Sequence, residues 1–411
     1  MKSVDDHLRD VLDGVGPLEP VAVGFLEALG AVLADDVVSR VDLPVFDNSA
    51  MDGYAVQCAD LAGASELDPV ELAVVGDVAA GAVAPSATPG AVVRVMTGAP
   101  VPAGADAVVP VEWTDAGTAR VRINRRPESG ANIRLRAGDV HADDVVLRRG
   151  TAVDPAGIGL IASVGLGAVL VHRRPHVLVL STGSELVPPG SALEPAQIYD
   201  SNALMLAAAV LQTGCTVRRL AAVEDDPGVL LRVLADELRD EALPRVDLVL
   251  TSGGISVGAY DVVKAALGGL GTVTFERVAM QPGKPQGRGA IGPDHTPILT
   301  LPGNPVSAYV SFQVFVRPVL RRMLGYAELE RPTVPARLLE PLRSPPGRRQ
   351  FVRARLETAG EGRTVRPVGG PGSHLVGALA HSNALVVVPE DVTSVAAGEQ
   401  VQVMVTEVSE W

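Results

Sequence analysis

Apolar positions change their rhythm several times along this chain, and each change marks a boundary. In the first 40 or so residues, VAVGFLEALGAVLADDV carries apolar side chains at helical spacing, and Pro44 then breaks the pattern. This predicts an N-terminal helical or linker region over 1–43. From 44 to 143 come short β-like runs separated by Gly and Pro, among them AVVRVMTGAPVP and ADAVVPVEW, which predict a β-rich domain. Residues 144–174 return to an apolar, glycine-rich texture. They read as completing the first region, so that 44–143 is an insertion.

Between 175 and 327 strand-like and helix-like runs alternate: HVLVLSTGSEL, IYDSNALMLAAAVLQTG, TVRRLAAV, DDPGVLLRVLADELRD, DLVLTSGGISVG, AYDVVKAALGGLG, TVTFERVAM and TPILTLPG, with a last helix from Asn304. Strands alternating with helices of this length predict a doubly wound parallel α/β domain. Asp200, Ser201 and Asn202 are each available to cap the helix that follows them. Residues 328–411 are strand-like throughout and predict a small C-terminal β-barrel or sandwich.

Composition narrows the function classes. The formal net charge of −13 argues against general nucleic-acid or membrane-surface binding, so an anionic substrate would need a local cationic patch, backbone N–H groups or a metal. Lysine occurs only at Lys2, Lys264 and Lys284. Cys58 and Cys215 have no metal-ligand spacing and suggest no disulfide framework, which fits a reducing cytoplasm. The N-terminal MKSVDDHLRDVL has no apolar core of a signal peptide, and no run reaches the about 20 apolar residues of a membrane span.

In an open α/β sheet, ligands bind beyond the C-terminal ends of the strands, where STGSEL, VEDDP, TSGGISVG and LPGNPVS fall. Gly253, Gly254 and Gly258 would let backbone N–H groups approach an oxyanion, although a tight strand-to-helix turn uses glycine the same way. Asn304 and Pro305 fit an N-cap and first helical position, placing Ser307 in the first turn. QPGKPQGRG reads as a stiff loop presenting Lys284. The scattered acids Asp52, Glu185, Asp225, Asp226 and Asp261 each fit a cap or surface role. Together they could hold Mg²⁺ beside a phosphate. No zinc spacing occurs, and His172 and His176 read as structural.

NSAMDGYAV (48–56), RVMTGAPVPAGADAVV (94–109), GANIRLRAGD (130–139), STGSEL (181–186), SGGISVGAYD (252–261), PGKP (282–285) and LPGNPVSA (301–308) follow one another in this order. The set closely resembles the MoeA family, the molybdopterin molybdenumtransferases, to which the E domain of gephyrin is related. The resemblance spans nearly the whole chain. It implies an elongated homodimer of four-domain subunits that inserts molybdate into adenylylated molybdopterin, uses Mg²⁺ and releases AMP. It further implies exchange with the preceding adenylyltransferase and with molybdoenzyme apoproteins.

By the same resemblance, Asp52 and Thr97 reach the active cleft of the partner subunit from the inserted domain. Glu185, Asp225 and Asp261 serve metal and catalysis. Ser256, Lys284, Pro285 and Ser307 surround the molybdate or phosphate, and Arg349 or Arg353 adds an anion contact. Some members carry lysines where this chain has Arg277 and Gln281. Arg277 keeps the charge in forked geometry and Gln281 loses it, with Arg288 or Arg134 as candidate replacements. Two rival readings are an adenylyltransferase, which would be a single short domain with a GGTG-type loop, and a non-catalytic scaffold, which would carry long linkers and extra domains.

Overall fold

The computed structural model describes residues 1–255, 261–359 and 362–406. They divide into two compact units. One comprises Met1–Val21, Gly30–Ala34 and Leu170 onward, and the other Ala22–Leu29 and Asp35–Val169.

The larger unit is built on a six-stranded sheet. Its strands are β1 (His176–Ser181), β2 (Thr216–Arg219), β3 (Leu248–Ser252), β4 (Val273–Arg277), β5 (Pro285–Ile291) and β6 (Thr296–Leu301), in the order β2-β1-β3-β6-β5-β4. β2, β1, β3 and β6 are parallel, β5 pairs antiparallel with β6, and β4 pairs antiparallel with β5. The sheet is therefore mixed, parallel only where βαβ crossovers cover it. QPGKPQGRG is also not a single loop, because Pro285–Ile291 is a strand.

Helices cover both faces, which is why β1, β3 and β6 are almost continuously apolar. On one face Val177, Val179, Leu248, Leu250 and Leu301 pack with α1 (Val4–Leu12), α2 (Asn202–Gln212), and the tract formed by α5 (Pro305–Ser311), a π-helical stretch Phe312–Val316 and α6 (Arg317–Met323). On the other face Leu178, Leu180 and Val249 meet α3 (Pro227–Arg239) and α4 (Val262–Gly268). α1 is capped by Ser3, whose hydroxyl accepts from the Asp6 N–H at 3.0 Å.

The helix expected across VAVGFLEALGAVLADDV reduces to the single turn Phe25–Ala28. Pro20–Val23 is extended, and Gly30 at φ +71° ends the turn. A short apolar run satisfies strand and helix spacing about equally well, and here the glycines decide.

The C-terminal part of this unit closes on itself. β7 (Thr333–Leu338), β8 (Arg349–Ala359), β9 (Gly362–Pro367), β10 (Ala384–Val388) and β11 (Gln400–Val405) pair in the order β8-β9-β7-β11-β10, and β10 returns to β8. The closed five-strand barrel leaves no free edge, apart from a short strand Met280–Gln281 laid alongside β8.

The smaller unit holds a five-stranded sheet in the order Ala107–Pro110, Gly53–Val56, Ala91–Val95, Val70–Val78, Arg120–Ile123. Its core is Tyr54, Val56, Val92, Val109 and Ile123, all fully buried. At its base Val145 pairs with Val38. Helix Pro155–Ser163 is capped by Asp154, which accepts from the Gly157 N–H at 2.7 Å. Cys58 and Cys215 are free and buried, and burial pushes the Cys215 thiol up to about 12.

The end of the large sheet away from the strand C-termini is fixed by Arg173. Its two terminal nitrogens donate to both oxygens of Asp247 at 2.7 Å, and Asp247 also accepts from the His176 N–H at 2.8 Å. The pairing raises the Arg173 pKa. The Asp247 side chain is 5% exposed and Arg173 26% exposed. Asp247→Ala should therefore cost about 3–4 kcal/mol, the lower part of the range for breaking a buried pair. Chemical denaturation would show it as a lower midpoint, and an unchanged midpoint would contradict this assignment.

Candidate active site

The loops after β1, β2, β3 and β6 enclose a cleft of about 730 Å³ at the C-terminal edge of the parallel strands. Parallel strands point their C-terminal ends the same way, so residues far apart in sequence arrive together. Glu185, Asp225, Asp261, Gly253, Gly254, Pro285, Asn304, Pro305 and Ser307 all line it. Ser256 and Gly258 lie outside the described residues.

Three polar side chains hold the loops in register. Asn202 Nδ2 donates to Ser252 Oγ at 3.0 Å and to the Gly303 carbonyl at 2.7 Å, tying the β3 loop to the β6 loop. Asp225 Oδ2 accepts from the Ser184 N–H at 3.0 Å while Ser184 Oγ accepts from the Asp225 N–H at 3.1 Å, which locks the β1 and β2 loops. Asp200 is 3% exposed and accepts from Ser181 Oγ at 2.9 Å and the Ala203 N–H at 3.2 Å. It is the residue that caps α2 by side chain, since Ser201 makes no cap bond.

The glycines act by space as well as by backbone angle. Gly254 sits at φ +63°, and a Cβ there would meet Val263 Cγ2 at 2.8 Å and Thr182 Oγ1 at 2.9 Å. Its N–H and that of Ser307 make no hydrogen bond among the described residues, so both are available to a ligand. The Gly253 N–H is different. It donates to the Leu301 carbonyl at 3.1 Å and is consumed by the fold. Asn304 is the N-cap of α5 but makes no side-chain cap bond. Asp261 likewise stands at the N-cap of α4 without one. Among the described residues neither side chain makes a hydrogen bond.

Several expected cations do not line it. Arg349 donates to both oxygens of Asp5 at 2.7 and 2.8 Å and pairs with Glu390 at 3.0 Å, so its charge is spent. Arg353 is 5% exposed and bonds the carbonyls of Gly370 and Gly372. Arg288 pairs with Asp10 at 2.6 Å. Arg277 is exposed at the end of β4 and Gln281 accepts from Arg348 at 3.3 Å. Lys284 stands next to the lining residue Pro285, with no side-chain bond among the described residues.

In the smaller unit Asp52 Oδ1 accepts from the Thr97 N–H at 2.6 Å and from Thr97 Oγ1 at 2.8 Å. These bonds hold the Asp52 carboxyl below the usual carboxylate range. Gly53 beside it has no room for a side chain, since a Cβ would meet the Val109 carbonyl oxygen at 2.0 Å. The SAMDGYA and MTGAP segments are therefore one local structure.

Residues given no site role from sequence also line the cleft: Thr182, Asp200, Asn202 and His374. Thr182 Oγ1, Asp200 Oδ2 and Asn202 Oδ1 are buried without a hydrogen-bond partner. His374 arrives on the loop that Arg353 holds, whose Ser373 carbonyl accepts from the Val306 N–H at 3.0 Å. Asn202→Ala should cost about 1–2 kcal/mol of stability for two lost bonds and lower substrate affinity by loosening the β3 and β6 loops. Parallel unfolding and binding titrations check this, and unchanged affinity would show that Asn202 does not organise the cleft.

Comparison with known proteins covers the whole chain. The model of the MoeA N-terminal region (domain I and II) matches residues 2–165, that of the probable molybdopterin binding domain 178–322, and that of the MoeA C-terminal region (domain IV) 335–406. Molybdopterin molybdenumtransferase 2 of Mycobacterium tuberculosis is 48% identical over 410 residues, 98% of this chain and 99% of that protein. The molybdopterin molybdenumtransferase of Haemophilus influenzae is 35% identical over 94% of each chain. The crystal structure of the molybdopterin biosynthesis MoeA protein from Pyrococcus horikoshii OT3 superposes with a TM-score of 0.81 at 29% identity, covering 98% of this chain and 100% of that one. With every region matched in order and the fold shared throughout, this chain belongs to the MoeA family.

Proposed function

We propose that this chain is an enzyme of molybdenum cofactor biosynthesis that inserts molybdate into adenylylated molybdopterin and releases AMP. The observation that carries this reading is the composition of one cleft. Glu185, Asp225 and Asp261 share it with Gly254 and Ser307, on the molybdopterin-binding domain of a MoeA-family chain.

Holding molybdate beside a phosphate costs Coulomb repulsion of a few kcal/mol at an effective dielectric of about 20. The free N–H groups of Gly254 and Ser307 and the ammonium of Lys284 offset it. Among the described residues no three His, Cys, Asp or Glu side chains gather into a complete metal site. One or two of Glu185, Asp225 and Asp261 would hold Mg²⁺, with substrate oxygens and water completing the shell. When bound, Mg²⁺ supplies positive charge that polarises the phosphoryl oxygens.

The protein's own part is to align the two anions, exclude bulk water and stabilise the charge that develops as the phosphoanhydride opens. No nucleophilic side chain is needed. In a homodimer, Asp52 of the partner subunit and Thr97 of the partner subunit complete the site. The adenylylating enzyme supplies the substrate and apo-molybdoenzymes take the product.

A single-turnover assay with adenylylated molybdopterin and Mg²⁺ tests the reading. AMP release should require molybdate, and Asp261→Asn should slow it by about 10²–10³, the usual cost of losing one electrostatic group at a transition state. Asp261 makes no side-chain cap bond, so this variant should fold. Molybdate-independent release, or full activity in the variant, would overturn the assignment.

A further inference from the structure

Away from the cleft, the helical tract that follows Ser307 concentrates positive charge without matching acid. Arg317 and Arg321 lie one turn apart on α6, Arg331 follows in the segment leading to the barrel, and all three are part-buried. Their partners are neutral. Arg317 Nη1 donates to the Leu329 carbonyl at 3.2 Å, Arg321 Nε to the Glu328 carbonyl at 2.6 Å, and Arg331 Nε to Gln313 Oε1 at 2.7 Å. Arg321 also stacks over Tyr326, 3.7 Å from the ring centroid. Among the described residues none of the three has a carboxylate within 4 Å. Glu328 acts on Arg321 only at longer range. Burial, with repulsion from Arg331 and Arg321, brings Arg317 down to about 9.

Gln313 is the second observation. It is 1% exposed and sits in the π-helical stretch Phe312–Val316, a rare turn that often marks functional sites. Its oxygen is taken by Arg331, and its Nε2 is buried with no acceptor. A buried N–H without a partner is costly, and three desolvated guanidiniums near one another are more so. One bound anion would relieve both.

We propose that Gln313, Arg317, Arg321 and Arg331 form a binding site for a tetrahedral oxyanion of the phosphate or molybdate class, sharing no residue with the cleft. Gln313 Nε2 and the three guanidiniums all present donors. Guanidinium forks match oxyanion geometry and shed water more easily than ammonium. An oxyanion with four acceptors suits donors arriving from three arginines and an amide, whereas a carboxylate offers only two oxygens. In a chain of net charge −13 such a site must be local, because the overall field repels anions.

The test is arginine modification of the full chain by phenylglyoxal, mapped residue by residue by mass spectrometry. Exposed Arg120 serves as the internal control. Inorganic phosphate, and molybdate in a parallel arm, should slow modification of Arg317, Arg321 and Arg331 several-fold and saturably, with Arg120 unaffected. Sodium acetate at equal ionic strength should not. Gln313→Leu and Arg331→Gln should weaken the protection of Arg317. Phosphate and molybdate protecting alike would indicate a general oxyanion site, and protection by one alone would name the ion. No protection by either in the wild-type chain, or equal protection by acetate, would overturn the proposal without recourse to a variant.

Discussion

The cleft depends on two turns passing each other at backbone contact. The chain after β3 and the chain after β6 come so close that a Cβ on Gly303 would lie 3.3 Å from the Gly253 Cα, and one on Gly253 would lie 2.7 Å from the Thr182 carbonyl oxygen. Side chains at these positions would push the strand ends apart. With glycine there, Asn202 can reach both Ser252 and Gly303, and Asp225 can exchange hydrogen bonds with Ser184. The acids and the free N–H groups converge because of that packing. The barrel takes part too, through the Arg353-held loop that brings His374 to the rim.

Charge is distributed to suit this arrangement. Several arginines are committed to specific acids, as Arg173 is to Asp247 and Arg349 to Asp5. Lys2, Asp10, Glu276, His7 and Arg288 form a connected network under α1. Burial lowers the His7 pKa despite the Glu276 carboxylate beside it, which favours a neutral ring in the folded state. Among the described residues, Lys284 beside the cleft and the Arg317, Arg321 and Arg331 group have no carboxylate within 4 Å.

Much of this was legible in the sequence. β1, β3 and β6 read clearly because burial on both faces demands unbroken apolar runs, and the cleft followed from where their loops must lie. Pro285–Ile291 was not legible as a strand because its glycines are there for packing. A Cβ on Gly287 would meet Thr300 Oγ1 at 2.2 Å, and one on Gly289 the Thr272 carbonyl oxygen at 2.2 Å. Asp200 and Asn202 could be seen only as caps, since their reach across loops is tertiary. Arg349 and Arg353 carried the right charge for an anion site, but sequence could not show that Asp5, Glu390 and two carbonyls claim them first. Glu185, Asp225 and Asp261 were legible as shared lining of the cleft, and among the described residues they do not gather into a complete ligand set.

The most direct measurement is an anomalous difference map at the molybdenum edge, from crystals of the full chain soaked in molybdate. A peak in the cleft within hydrogen-bonding reach of Ser307 and the Gly254 N–H is the result this account predicts. Ordered molybdenum elsewhere with none in the cleft would contradict it.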